Sequence, residues 1–189
     1  VAALGRLARR REGRGAGALT QQAAQLQGPA AAVGVGQSMY EIERYVDANA
    51  RATAVLLDVL ANTKHRVRKL VVASSMSIYG EGKYGCAAHG DVYPRLRPEA
   101  QLAAQAWEMR CPICGQEVAP RPTDEDKPLH ATSIYAITKK DQEEMCLVAG
   151  RASGIPTVAL RFFNVYGPRQ ALGNPYTGVA AIFSTRLLN

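Results

Sequence analysis

Leu70-Val71-Val72-Ala73-Ser74-Ser75-Met76-Ser77-Ile78-Tyr79-Gly80 is the stretch from which the rest of the chain is read. Lys69 to Ser74 is a short, nearly continuous apolar run, the pattern of a parallel strand covered on both faces. It runs straight into a cluster of hydroxyls. Pro156 to Phe162 repeats the apolar pattern, and Ser133 to about Ala149 has helical periodicity that stops near Gly150. Strand, helix and strand in that order predict an α/β layered fold built on a parallel sheet. Upstream, Ser38-Met39-Tyr40-Glu41 has the spacing of a capping box. Ile42, Tyr45, Val46, Asn49, Thr53, Leu56, Leu57 and Leu60 then recur at helical intervals, predicting one long helix to about Asn62. A short helix is expected from Pro98, a favoured first-turn position, to Trp107 or Met109. A last helix is expected over Thr177 to Leu188.

The chemistry lies in Tyr135-Ala136-Ile137-Thr138-Lys139. Residues four apart on a helix share a face, so this phenol and amine can act on one substrate. A free tyrosine titrates near ~10 and is a poor base at neutral pH. An ammonium one turn away favours the phenolate, which can then take a proton from a hydroxyl. Ser75, at the end of the first strand, can hydrogen-bond the oxygen on which a carbonyl develops. Taken alone, such a pair is as readily a surface tyrosine and lysine with a serine in a turn.

Three motifs occur in order: Ser74-Ser75-Met76-Ser77-Ile78-Tyr79-Gly80, then Tyr135 to Lys139, then Leu160-Arg161-Phe162-Phe163-Asn164-Val165-Tyr166-Gly167-Pro168-Arg169. Together they resemble the extended short-chain dehydrogenase/reductase family, the NAD-dependent nucleotide-sugar epimerases and dehydratases. The resemblance covers about 30–189. It implies a partial Rossmann-like, doubly wound parallel sheet with flanking helices, NAD as cofactor and a nucleotide sugar as substrate. It also implies a cytoplasmic location and a homodimer joined through the helices near 41–62 and 133–149. By the same resemblance Ser75, Tyr135 and Lys139 are the catalytic group and also touch the cofactor, Lys139 through the nicotinamide ribose. Ala30, Ala31 and Ala32 match the small-residue turn against the cofactor, and Asn49 matches a helix asparagine beside it, although Ala52 replaces the usual glycine. Phe163 matches a residue beside the nicotinamide, and Ser77 and Asn164 match substrate positions. Phe162 and Tyr166 are expected in the core or the pocket wall.

Met76 and Ser77 stand where the family's dehydratases carry an acidic pair. That favours epimerisation at sugar carbon 4 through a keto intermediate. A decarboxylase, a reductase, or a non-catalytic remnant that binds partners through exposed helices stay open as alternatives. The family's opening strand and Gly-x-x-Gly-x-x-Gly turn find no match, since Gly13-Arg14-Gly15-Ala16-Gly17 has the wrong spacing. The chain is therefore expected to be incomplete at both ends, with weakened NAD binding.

Cys86-Ala87-Ala88-His89 and Cys111-Pro112-Ile113-Cys114-Gly115 both fall in a polar insertion at about 81–130. Three thiols and an imidazole in two x₂ pairs suit a structural tetrahedral zinc site. A disulfide or plain reduced thiols remain open. Cys146, on the catalytic helix, reads as core.

The net charge of +7 divides unevenly. Residues 1–28 hold five arginines and one glutamate, a basic tract of low complexity expected to be disordered, and the remaining 29–189 carries only +3. With so balanced a body and no interleaved surface aromatics, a nucleic-acid partner is not expected. No apolar run approaches the ~20 residues of a membrane span, so no membrane role is expected either.

Overall fold

β1 (Leu70–Ser75) and β5 (Thr157–Phe162) pair in parallel, in register from Leu70 with Thr157 to Ser75 with Phe162. The computed structural model describes residues 32–167 and 179–188; the expectations for the 1–28 tail, Ala30 and Ala31 lie outside the described residues. The chain divides into two units, one running to Met76 and resuming at Ser133, the other Ser77–Thr132.

In the first unit a 3₁₀ turn at Gln37–Met39 leads to α1 (Ile42–Tyr45), a π-helical turn at Val46–Arg51 and α2 (Ala52–Asn62). The single helix expected here thus runs to Asn62 without leaving helical backbone, with one π-turn set into it. Ser38 caps nothing. Glu41 precedes α1 without a side-chain cap, and its carboxylate takes Gln37 Nε2 at 2.9 Å and the Arg44 guanidinium instead. The Ser38 hydroxyl donates to the Val35 carbonyl at 2.6 Å and accepts from Tyr135 N–H at 3.0 Å. The capping-box spacing was satisfied by a tertiary contact in place of a local one.

α4 (Ile134–Ala152) begins where Ser133, in extended conformation, accepts the Ala136 N–H on its hydroxyl at 3.1 Å. It continues past Gly150, and Gly154, at φ +66°, follows its end. Gly150 marks a close approach, not a stop: a Cβ there would lie 1.9 Å from Thr157 Oγ1 and 2.9 Å from the Ile155 carbonyl. α4 packs on β1, β5, α2 and the π-turn. Val72, Cys146, Ala136, Leu60 and Tyr45 are buried in this unit.

The strands were expected to be covered on both faces. The face carrying Val71, Val158, Leu160 and Phe162 is instead 40–45% exposed, because the helices lie against the face that carries Val72, Ala159 and Arg161. Tyr166 is exposed as well, so neither it nor Phe162 is core. α5 (Val179–Leu188) is the last element.

The second unit opens in the 3₁₀ turn Met76–Tyr79 and holds a three-stranded antiparallel sheet in the order β3 (Gly90–Val92), β2 (Lys83–Cys86), β4 (Ala119–Arg121). Its helix α3 is Glu99–Ala103 only. It ends short of Trp107 because Gln105 turns to φ 55° and the chain folds back, Gln101 Nε2 donating to the Ala106 and Glu108 carbonyls. Met109 joins Cys86, Val92, Cys111 and Val118 in a small core beside Tyr84. Near its ends, the buried Lys127 amine donates to the Tyr79 and Pro128 carbonyls, and His130 N–H donates to Ile78 O at 2.9 Å.

Candidate active site and metal centre

Ser75 closes β1 and is 7% exposed. Tyr135 lies in the first turn of α4 and Lys139 one turn further on. The Lys139 amine donates to the carbonyl of Ala73, two residues before Ser75, and to Gln142 Oε1 at 2.5 Å. This brings the amine to the carboxyl end of β1, the end that Ser75 occupies. Burial lowers the Lys139 ammonium from 10.5 to about 8, and charge on nearby Cys146 offsets only part of that shift.

Tyr135 is fixed on the helix side. Its N–H sits on Ser38, and the fully buried Tyr45 meets its ring edge-on, centroids 6.3 Å apart and planes at 88°. The Tyr45 hydroxyl is 3.0 Å from the Val33 carbonyl and 2.9 Å from Gln37 Oε1, which ties the segment preceding α1 to the same cluster.

Asn49, fully buried, sits in the π-turn. Its Oδ1 accepts the Ala32 N–H at 2.9 Å, and its Nδ2 donates to the Ala32 carbonyl at 3.2 Å and to Thr138 Oγ1 at 3.0 Å. Thr138 donates in turn to the Tyr135 carbonyl. One amide thus holds the Ala32 backbone against the helix that carries Tyr135 and Lys139. Single π-turns of this kind are frequent at functional sites.

Further along, Glu143 is 3% exposed and takes Arg161 in a two-pronged pair, Nη2 to Oε1 at 2.7 Å and Nε to both oxygens at 3.2 Å. Burial alone would raise its carboxyl, but the lowering causes together, the Arg161 pair foremost among them, hold the group below its ordinary value. The pair pins α4 to β5. Ser77 opens the second unit, while Phe163 and Asn164 follow β5 and are exposed. Sequence reasoning passed over Gln142, Thr53 and Tyr45. Gln142 lies three residues from Lys139, so helical spacing alone could have found it.

In the second unit both ligand pairs sit on tight turns. Cys86 ends β2 and His89 precedes β3, with Cys86 opposite Gly90 in the hairpin. Cys111 and Cys114 form a knuckle closed by Gly115 N–H to Cys111 O at 2.9 Å and Cys111 N–H to Gln116 O at 2.7 Å. Gly115 has φ +74°, a conformation that favours glycine. Cys86 Sγ lies 3.5 Å from His89 Nδ1 and 3.8 Å from Cys114 Sγ, and Cys111 Sγ lies 3.7 Å from His89 Nδ1. All four ligand atoms fall within 4.8 Å of one another. A tetrahedron with bonds of about 2.3 Å to sulfur and 2.0–2.1 Å to nitrogen has edges of about 3.8 Å between sulfurs and about 3.6 Å from sulfur to nitrogen. The donor set therefore fits a tetrahedral ion. The His89 contact also lowers the Cys86 thiol to about 6.

Residues 19–100 and 112–189 match the family model described as NAD dependent epimerase/dehydratase family. The unmatched stretch, 101–111, lies within the second unit. Over 155 residues the chain is 37% identical to a dTDP-L-rhamnose 4-epimerase of Burkholderia thailandensis, covering 82% of this chain and 41% of that protein. Among solved structures it is similar to a UDP-N-acetylglucosamine 4-epimerase from Methanobrevibacter ruminantium in complex with UDP-N-acetylmuramic acid, at 26% identity and a TM-score of 0.58 over 84% of this chain and 39% of that one. A Thermus thermophilus UDP-glucose 4-epimerase in complex with NAD matches at 29% identity and a TM-score of 0.56, over 85% of this chain and 40% of the other. The chain thus spans about two-fifths of the length of these relatives. With a parallel β1–β5 pair flanked by helices and a family model matching most of its residues, this chain belongs to the NAD-dependent epimerase/dehydratase family.

Proposed function

We propose that this chain is part of an NAD-dependent nucleotide-sugar 4-epimerase, with Tyr135 as the acid–base group. The observation that carries the reading is the Lys139 amine seated at the Ser75 end of β1, one helical turn from Tyr135. Tyr135 removes the proton of the sugar hydroxyl and later returns it, while Ser75 hydrogen-bonds the same oxygen. Lys139 favours the phenolate by its charge. NAD, when bound, supplies the hydride acceptor and then the donor at carbon 4. Ala30, Ala31, Ala32, Asn49, Lys139 and Phe163 would hold it. The lock of Asn49 on both polar groups of the Ala32 backbone supports a fixed surface there. Ser77 and Asn164 are assigned to the substrate. Met76 and Ser77, which follow Ser75, do not ionise near neutral pH and so cannot serve as the general acid and base, which disfavours loss of water.

Cys86, His89, Cys111 and Cys114 are assigned to a structural zinc ion, for which the edge lengths speak. Exposed Ile42 and Val46 near the π-turn and Ile137 and Val148 on α4 support a homodimer through these helices, which sedimentation tests. No helix among the described residues is long and apolar enough to cross a membrane; a cytoplasmic site of action accords with the family.

The deciding experiment incubates the chain with NAD and UDP- or dTDP-hexoses and follows the sugar by NMR. A 4-epimer that vanishes with Tyr135→Phe supports the reading. In parallel incubations, loss of carbon dioxide from a UDP-hexuronic acid with NAD would favour the decarboxylase and reduction of a 4-keto sugar nucleotide with NADH the reductase, while no turnover by a folded, NAD-loaded protein favours the non-catalytic alternative. Metal analysis finding well under one zinc per chain would defeat the zinc assignment.

A further inference from the structure

Lys139 is buried among neutral groups, and the side chain that faces its amine is Gln142. We propose that Gln142 is a positioning residue for Lys139, locked in one orientation by Thr53 so that an oxygen, never an amide N–H, faces the amine. The inference rests on the reading of Lys139 as the partner of Tyr135.

The hydrogen-bond directions leave no freedom. Thr53 Oγ1 spends its one proton on the carbonyl of Asn49, in the π-turn, at 2.7 Å. A hydroxyl so committed can only accept from its other neighbours. Gln142 Nε2, 2.7 Å away, must therefore be the donor to it. The amide oxygen is then turned to Lys139 Nζ, 2.5 Å away. Flipping the amide would set two donors against the ammonium and two acceptors against each other. Thr53 is 5% exposed, so water is a poor substitute for either partner.

An ammonium has three donors. The Ala73 carbonyl takes one and Gln142 takes another, which leaves one N–H for the ligand side of the site. The chain Lys139–Gln142–Thr53–Asn49 thereby links the charged group to the same asparagine that grips Ala32. Charged neighbours do not duplicate this role. Arg161 of β5 is engaged by Glu143 of α4, Asp47 of the π-turn by Arg51, and Glu41 beside α1 by Arg44. From β1 the amine meets the Ala73 carbonyl. Among the described residues, Cys146, on α4 itself, acts on Lys139 by charge.

The test is the titration of Lys139 in the intact chain, followed through its ¹³Cε resonance and assigned with Lys139→Met. Gln142→Glu should raise the midpoint by about one pH unit or more, since it places an anion against the ammonium. Gln142→Leu should lower it by roughly half a unit to one unit, because an acceptor of the charged form is lost. The sharpest variant touches Lys139 not at all: Thr53→Val, isosteric but without the hydroxyl, should lower the midpoint with Gln142 still present, and Thr53→Ser should restore it. A midpoint that stays in place in both Gln142→Leu and Thr53→Val, with circular dichroism unchanged, overturns the proposal. Should Gln142→Leu fail to fold, Gln142→Glu and the Thr53 pair still decide. The readout needs no turnover, so an intact Lys139 response without epimerisation would count against the epimerase reading alone.

Discussion

Lys139→Met should make this protein more stable at pH 7, while removing the amine on which the proposed chemistry depends. Methionine keeps the length of the side chain and drops the charge. The ammonium falls from 10.5 to about 8 because it is 95% buried with neutral acceptors. Two and a half units correspond to about 3 kcal/mol of unfavourable burial of the cation at pH 7. Against this stand two hydrogen bonds, to Ala73 O and Gln142 Oε1, each worth roughly 1 kcal/mol net. The expected net gain at pH 7 is therefore about 1 kcal/mol.

The pH dependence is the stronger signature. The folded-state value lies below the unfolded one, so between about 8 and 10.5 the unfolded chain holds a proton that the folded chain has shed. Wild-type stability from this group thus rises with pH across that window, at up to about 1.4 kcal/mol per unit. The methionine variant lacks the rise, so its advantage should shrink above pH 8 and reverse by pH 10.5. Cys146, which burial raises from 9.0 to about 11, works in the opposite sense, but it is present in both proteins and largely cancels on subtraction. Urea denaturation of both proteins at intervals from pH 7 to 10.5 measures the gap. A gap that does not change with pH would show that Lys139 is not held as a strained cation, and the argument would fail.

Three further outcomes are expected. Arg161→Met strands the buried Glu143 carboxylate and should cost roughly 3 kcal/mol at pH 7, with much of it recovered when Glu143→Gln is added, as urea denaturation of the single and double variants would reveal. Asn49→Leu preserves volume but frees the Ala32 backbone and Thr138, so it should cost about 2–3 kcal/mol and weaken NAD binding measured by calorimetry. Gly150→Ala drives a methyl into Thr157 Oγ1 and the Ile155 carbonyl, at a cost of about 1–3 kcal/mol visible as a lower midpoint of thermal unfolding.

The sequence alone determined the elements whose signals are local. The apolar run ending in Ser75, the helix carrying Tyr135 and Lys139 and the second strand before Phe163 stand within a residue or three of their expected bounds. The Cys and His pairs were legible because tight turns need glycine and ligand spacing. Only the tertiary structure decided the rest. Ser38 looked like a cap and became an acceptor for Tyr135 N–H, a partner 97 residues away that no local pattern can announce. Asn49 stands in a π-turn, tied to Ala32 and Thr138, where periodicity saw only regular α-helical winding. Gly150 looked like a helix end, but it lies where α4 meets the turn into β5. In each case the deciding partner is distant in sequence, and packing, not spacing, settles which of several satisfied arrangements the residue adopts.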